Sequence, residues 1–336
     1  MGYGYFNTTS SATRARARMA SGASAFGYSA RAHAGSAPAL HPTLDLTRKP
    51  RRESRDSADS LHSTPIAVLC DVTGSMSNIP ELVINDLHKL MRLILDGKVV
   101  PDPQIAFGAI GDANSDSVPF ALGEFESDDV KAEAHLANLF LEGGGGGQSC
   151  ESYELPLWFF GNHVHTDAWE KRREKGFLFI IGDESPYSTV RRAQARKHLG
   201  VAPSEDLSLE AAARQAQEKW EVFCIRPGGT SYFADKGVRD SWTKILPSER
   251  VIQAADWQQI VPQIAATVSV LAGESLDDTA ALMTASGFDR ATVGAVTKSL
   301  LPLAQTAVPM ATGVSGSALV RRISPGALAI PRATRL

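Results

Sequence analysis

The chain has 336 residues, with 34 Lys plus Arg against 37 Asp plus Glu and a formal net charge of -3. That length holds one large α/β domain or two ordinary ones, and the near balance of charge argues against wholesale attraction to nucleic acid or a membrane surface. Three cysteines without paired spacing argue against a disulfide framework or zinc ribbon, and no window nears the ~20 apolar residues of a spanning helix.

Residues 1 to 61 come first, rich in Ser, Ala, Gly and Arg, with no acidic residue before Asp45. This composition predicts a largely disordered basic arm carrying Arg14, Arg16, Arg18 and Arg31, with Phe26 and Tyr28 available to pin it to the main domain. An organellar transit peptide shares the bias, but the arm is the preferred reading. The apolar core of a secretory signal is missing.

Residues 62–273 alternate strand-like and helix-like segments. Strand 66–72 and helix 79–95 lead to strands 104–112 and 119–126 and helix 128–140. A glycine loop, helix 151–165 and strand 177–182 follow, then helices near 188–198 and 208–220. Strand 221–226, a short helix near 235–246, strand 250–255 and helix 257–272 complete the series. "IAVLCDV", "FLFIIGD" and "EVFCIRP" are almost continuously apolar, as in parallel strands covered by helices on both faces. The pair 104–112 and 119–126 has no helix between and reads as a hairpin with one antiparallel edge strand.

The predicted fold is therefore a doubly wound, mostly parallel six-stranded α/β sheet of Rossmann-like type. Residues 275–308 add a short helical segment, and 309–336 read as a disordered tail with Arg321, Arg322, Arg332 and Arg335. Cys70 and Cys224 lie in apolar strands, which suits buried free thiols in a reducing, cytoplasmic setting.

Function concentrates in "IAVLCDVTGSM", residues 66 to 76, where a buried strand ends in Asp71, Thr73 and Ser75. Such folds bind ligands beyond the carboxyl ends of their strands. Oxygens at 71, 73 and 75 can bend around one hard divalent cation only on a tight loop, which Gly74 permits. One charged and two neutral donors would leave the ion able to accept a further carboxylate. "IIGDE" places Asp183 at another strand end.

"DVTGSM" after a hydrophobic strand resembles the metal-ion-dependent adhesion site of von Willebrand factor A domains, in its prokaryotic or phage-type form, whose first motif is Asp-x-Ser-x-Ser. Thr73 stands in for the first serine and keeps its hydroxyl. The element order of residues 62–273, about two thirds of the chain, is similar to that family. The resemblance implies metal ligands Asp71, Thr73 and Ser75, with Asp183 as the third motif. It also implies a second loop in "EGGGGGQSCESYELPLW", with binding-loop glycines Gly143, Gly144, Gly145, Gly146 and Gly147. The family's threonine is absent there; Ser149 is the preferred substitute and Gln148 the second. Glu184 and Asp112 are outer candidates, although "GDANSD" also reads as an ordinary turn.

The resemblance implies a protein-binding module without catalysis, in which Mg2+ (with Mn2+ and Ca2+ as alternatives) joins the module to an Asp or Glu of a protein partner. Prokaryotic relatives often accompany ATPase- or chaperone-like systems. A scaffold without metal is another reading, since the second loop is atypical.

The rival chemistry makes Asp71 a phosphoryl-accepting nucleophile, as in the Asp-Lys-Thr-Gly-Thr loop of P-type ATPases or the haloacid-dehalogenase phosphohydrolases. The acid/base aspartate expected two residues after the nucleophile is missing, since position 73 is Thr, and positions 187 and 188, where a second acid belongs, are Tyr and Ser. The glycine run lacks a Gly-Lys-Ser/Thr ending, and no dinucleotide fingerprint follows the first strand. His163 and His165 do not share a helical face, and Trp158, Phe159 and Phe160 read as core.

Overall fold

The computed structural model describes residues 6–76, 79–143 and 149–306. Its centre is a six-stranded sheet: β1 (Thr64–Asp71), β2 (Pro103–Ile110), β3 (Phe120–Leu122), β4 (Gly176–Ile181), β5 (Trp220–Pro227) and β6 (Val251–Ala254), in the order β6-β5-β4-β1-β2-β3. All neighbours run parallel except β3, which is antiparallel to β2. This is the predicted doubly wound sheet with one antiparallel edge strand, though β3 is shorter than the hairpin reading proposed.

Every residue of β1, β2 and β4 is buried, so their unbroken apolar runs follow from burial on both faces. Alternation divides them. Ile66, Val68 and Cys70 join Phe179, Ile181 and Phe223 on one side, while Ala67 and Leu69 join Ile180, Val222 and Cys224 on the other. All three cysteines are free.

Twelve helices are described. In chain order α1 (Thr8–Ser21), α2 (Gly27–His33), α3 (Ile79–Asp96) and α4 (Asp129–Ala137) come first. The next four are α5 (Glu154–Asn162), α6 (Asp167–Arg172), α7 (Arg192–Leu199) and α8 (Leu209–Lys219). The last are α9 (Lys236–Thr243), α10 (Ile260–Leu271), α11 (Leu276–Ala285) and α12 (Arg290–Thr306). Trp158, Phe159 and Phe160 on α5 are core residues, as predicted. Helix α10 is buried along its whole length. A helix apolar all round must be covered all round, and Val296, Leu300 and Leu303 of α12 belong to the same core. No described helix is long and apolar enough to cross a membrane.

The N-terminal segment departs from its predicted disorder: residues 6–61 are ordered against the sheet domain. Asn7 caps α1 by accepting from Ser10 N at 2.9 Å, and Gly22 ends it in left-handed conformation at φ 63. Arg14 pairs with Asp129 and Glu133 of α4, and Arg18 donates to Asn85 of α3. Phe6, Phe26 and Leu44 enter the main core, and buried Tyr28 donates to Pro38 O at 2.7 Å. Composition registered basic residues without acids; the acids that hold Arg14 lie more than a hundred residues away. The predicted tail, 309–336, falls outside the described residues.

Candidate functional site

Parallel strands of equal register end together, and β1 and β4 are neighbours with Cys70 opposite Ile181. Their next residues, Asp71 and the Gly182–Asp183 pair, therefore emerge side by side at the carboxyl edge. Beyond Asp71 the chain makes a single 3-10 turn over Gly74–Met76, closed by Met76 N to Thr73 O at 3.1 Å. That turn brings Ser75 beside Thr73. Gly74 is not among the residues with positive φ, so the tightness comes from 3-10 geometry rather than the glycine freedom the sequence suggested.

The predicted first and third motifs meet. Thr73 donates twice to Asp71 Oδ1, from its backbone N at 2.9 Å and its hydroxyl at 2.6 Å. Thr73 Oγ1 lies 3.2 Å from Ser75 Oγ, which donates to Asp183 Oδ1 at 2.8 Å. Asp183 Oδ2 accepts from Tyr232 N at 3.1 Å. A continuous file of oxygens thus joins the two strand ends, with Asp71 and Asp183 both fully buried.

Burial pushes the Asp71 carboxyl up to about 6; the donors from Thr73 and Tyr153 oppose the rise, and the nearby Asp183 charge adds to it. Two buried carboxylates linked through two neutral hydroxyls form an all-oxygen donor set suited to a hard divalent cation. Among the described residues no three His, Cys, Asp or Glu side chains are grouped as a metal site.

Tyr153, which sequence reasoning missed, donates its hydroxyl to Asp71 Oδ2 at 2.5 Å. Its ring is fully buried and packs 5.1 Å from Trp242. Position 182 must be glycine for this to happen, because a Cβ there would lie 2.2 Å from the tyrosine hydroxyl. The glycine before Asp183 in "IIGDE" was the available signal, since such a residue marks close approach by another group.

The two described ends of the glycine loop bracket the site. Gly143, at φ 67, donates its N to Val72 O at 3.5 Å. Ser149 O accepts from Ser185 N at 3.0 Å, and Cys150–Glu151 pairs in parallel with Ser185–Pro186. Ser149 itself is exposed. Gly144, Gly145, Gly146, Gly147 and Gln148 lie outside the described residues.

The outer candidates are not in the oxygen file. Asp112 accepts from Asn114 N and Nδ2, both at 2.9 Å, and from the Tyr187 hydroxyl at 3.1 Å, which is turn chemistry. Glu184 is buried and is pushed up to about 7 chiefly by burial, with the nearby charges of Asp71 and Asp183 adding to the rise. Its carbonyl accepts from Trp242 Nε1 at 2.9 Å. Glu151 and Glu154, also buried, were not foreseen; burial raises both carboxyls, and neither Glu154 oxygen has a hydrogen-bond partner among the described residues.

No protein-family model matches the sequence, and no curated protein matches it. Three solved structures are similar in chain path. The pilus adhesin SpaC of Lactobacillus rhamnosus GG in its open conformation is 10% identical with TM-score 0.44, over 69% of this chain and 31% of that one. Proximal thread matrix protein 1 of the mussel byssus, with a zinc-occupied MIDAS motif, is 11% identical with TM-score 0.38, over 62% and 45%. A von Willebrand factor type A protein from Catenulispora acidiphila is 12% identical with TM-score 0.37, over 62% and 42%. The chain spans less than half of each. At these scores the likenesses do not assign a function.

Proposed function

We propose that the chain is a metal-dependent protein-binding module of von Willebrand factor A type. Asp71, Thr73, Ser75 and Asp183 hold a divalent cation at the carboxyl edge of the sheet, with Ser149 added from the glycine loop. The observation that carries this reading is the Asp71–Thr73–Ser75–Asp183 file of oxygens. When bound, the cation supplies an electrophilic position that a carboxylate of the partner completes. Mg2+ is the preferred ion on hard-oxygen chemistry, with Mn2+ and Ca2+ as alternatives. A cytoplasmic partner from an ATPase- or chaperone-like system extends the same reading.

Each residue has a definable part. Thr73 and Tyr153 orient Asp71 by occupying both its oxygens, and Tyr232 N orients Asp183. The phosphoryl-transfer reading lacks its acid: position 73, where a general acid/base carboxyl belongs, is a threonine whose hydroxyl donates to Asp71 Oδ1 at 2.6 Å.

The test is capture from native lysate in Mg2+ and again in EDTA, with Asp71→Ala as control. A protein retained only by wild type with metal supports the proposal. Capture indifferent to both EDTA and the substitution overturns it.

A further inference from the structure

Two arginines are wholly buried, and they differ in how they are satisfied. Arg52, on the segment leading to β1, has every nitrogen occupied: Nε by Leu122 O at 3.0 Å, Nη1 by Lys49 O at 2.9 Å and Nη2 by Leu122 O at 2.6 Å. That is a structural guanidinium, tying a linker to the edge strand. Arg226, near the end of β5, has one partner among the described residues, since Nη2 donates to Tyr232 O while Nε and Nη1 have none there. A buried charge with unpaired donors is costly, and packing alone does not account for a cation in the run "EVFCIRP".

Its position supplies a reason. The residue that accepts from Arg226 is the one that donates to Asp183: Tyr232 O faces the guanidinium, and Tyr232 N lies 3.1 Å from Asp183 Oδ2. One residue of backbone separates a fixed positive charge from a metal-site carboxylate. Asp183 in turn favours the charged form of Arg226 against burial, which lowers its pKa. The other groups felt there are the buried Cys224 thiol and, opposite in sign to each other, exposed Asp235 and Arg239, of which Asp235 is engaged in capping α9. Glu151 and Glu184, which also feel the Asp71 charge, are driven toward their neutral forms by burial.

We propose that Arg226 is the specificity-determining counter-charge of the metal face, holding cation affinity down and reserving the open coordination position for an anionic ligand. The inference rests on the metal site proposed above. Whatever the acids contribute, a fixed positive charge behind Asp183 repels the bound cation and attracts a carboxylate, so its removal acts with one sign on each.

The experiment titrates Mn2+ into the full chain by calorimetry, comparing wild type with Arg226→Gln, Arg226→Met, Arg226→Lys and Asp71→Ala. Arg226→Gln keeps a neutral donor near the position of Nε, and Arg226→Met removes the donors altogether. Both should bind Mn2+ more tightly, on the order of tenfold, because a positive charge one residue of backbone from Asp183 is lost. Arg226→Lys should stay within about twofold of wild type because it keeps the charge. Folded neutral variants that bind at wild-type strength or weaker overturn the assignment, as does unfolding of both, which would make Arg226 structural. If wild type binds and Asp71→Ala does not, such a failure leaves the metal site standing. Absence of binding by wild type overturns both.

Discussion

Tyr153 donates to Asp71 Oδ2 at 2.5 Å across 82 residues of sequence, and it reaches that oxygen only because residue 182 has no side chain. Tyr153→Phe would leave a buried carboxylate oxygen unpaired, at a cost of about 1–3 kcal/mol. Gly182→Ala would place a Cβ 2.2 Å from the hydroxyl and force the tyrosine away, breaking the same bond and its packing on Trp242. Denaturant unfolding of the metal-free protein should show both losses. In the double variant the costs should fall short of additive, because the two changes share one hydrogen bond. Fully additive losses would separate Gly182 from Tyr153.

Asp71 also sets a pH dependence. Burial raises its carboxyl from the ordinary 3.8 to about 6, so the folded chain holds this proton more tightly than the unfolded chain does. The stability so gained is fully present below about pH 3.8 and is lost as pH rises through about 6. For Asp71 alone the loss amounts to at most about 3 kcal/mol. Metal-free wild type should therefore lose stability over that window by more than Asp71→Asn, a neutral shape mimic. Because cation and proton compete for one carboxylate, Mg2+ should restore stability above pH 6 and do little near pH 4. Identical pH profiles for the two proteins would contradict the shift.

The N-terminal segment should behave as part of the domain. Arg14 bridges buried Asp129 and half-buried Glu133. Arg14→Ala should cost about 1 kcal/mol, after discounting for the part-exposed arginine. Hydrogen exchange of α1 should rise while that of β1 stays unchanged. Slow exchange throughout α1 in the variant would show that Phe6 and Phe26 hold the segment without the ion pairs.

What the sequence disclosed follows from how far apart the cooperating residues are. Asp71, Thr73 and Ser75 lie within five positions, and Asp183 closes a strand whose apolar run is visible, so parallel register does the rest. The edge hairpin was legible because nothing helical separates its strands. Tyr153 was hidden at the head of a helix, its role depending on a glycine 29 positions on. Arg226 was hidden by its apolar neighbours, and Arg14 by acids more than a hundred residues distant. In each case composition records the residue but not its partner.

The central claim is that a divalent cation binds at Asp71, Thr73, Ser75 and Asp183. Thermal unfolding of wild type, Asp71→Ala and Ser75→Ala, each in Mg2+ and in EDTA, tests it most directly. At ~100 times its dissociation constant Mg2+ should stabilise wild type by about 2.7 kcal/mol, and both variants should lose that increment. A wild type indifferent to Mg2+, or variants stabilised as much as wild type, would contradict the account.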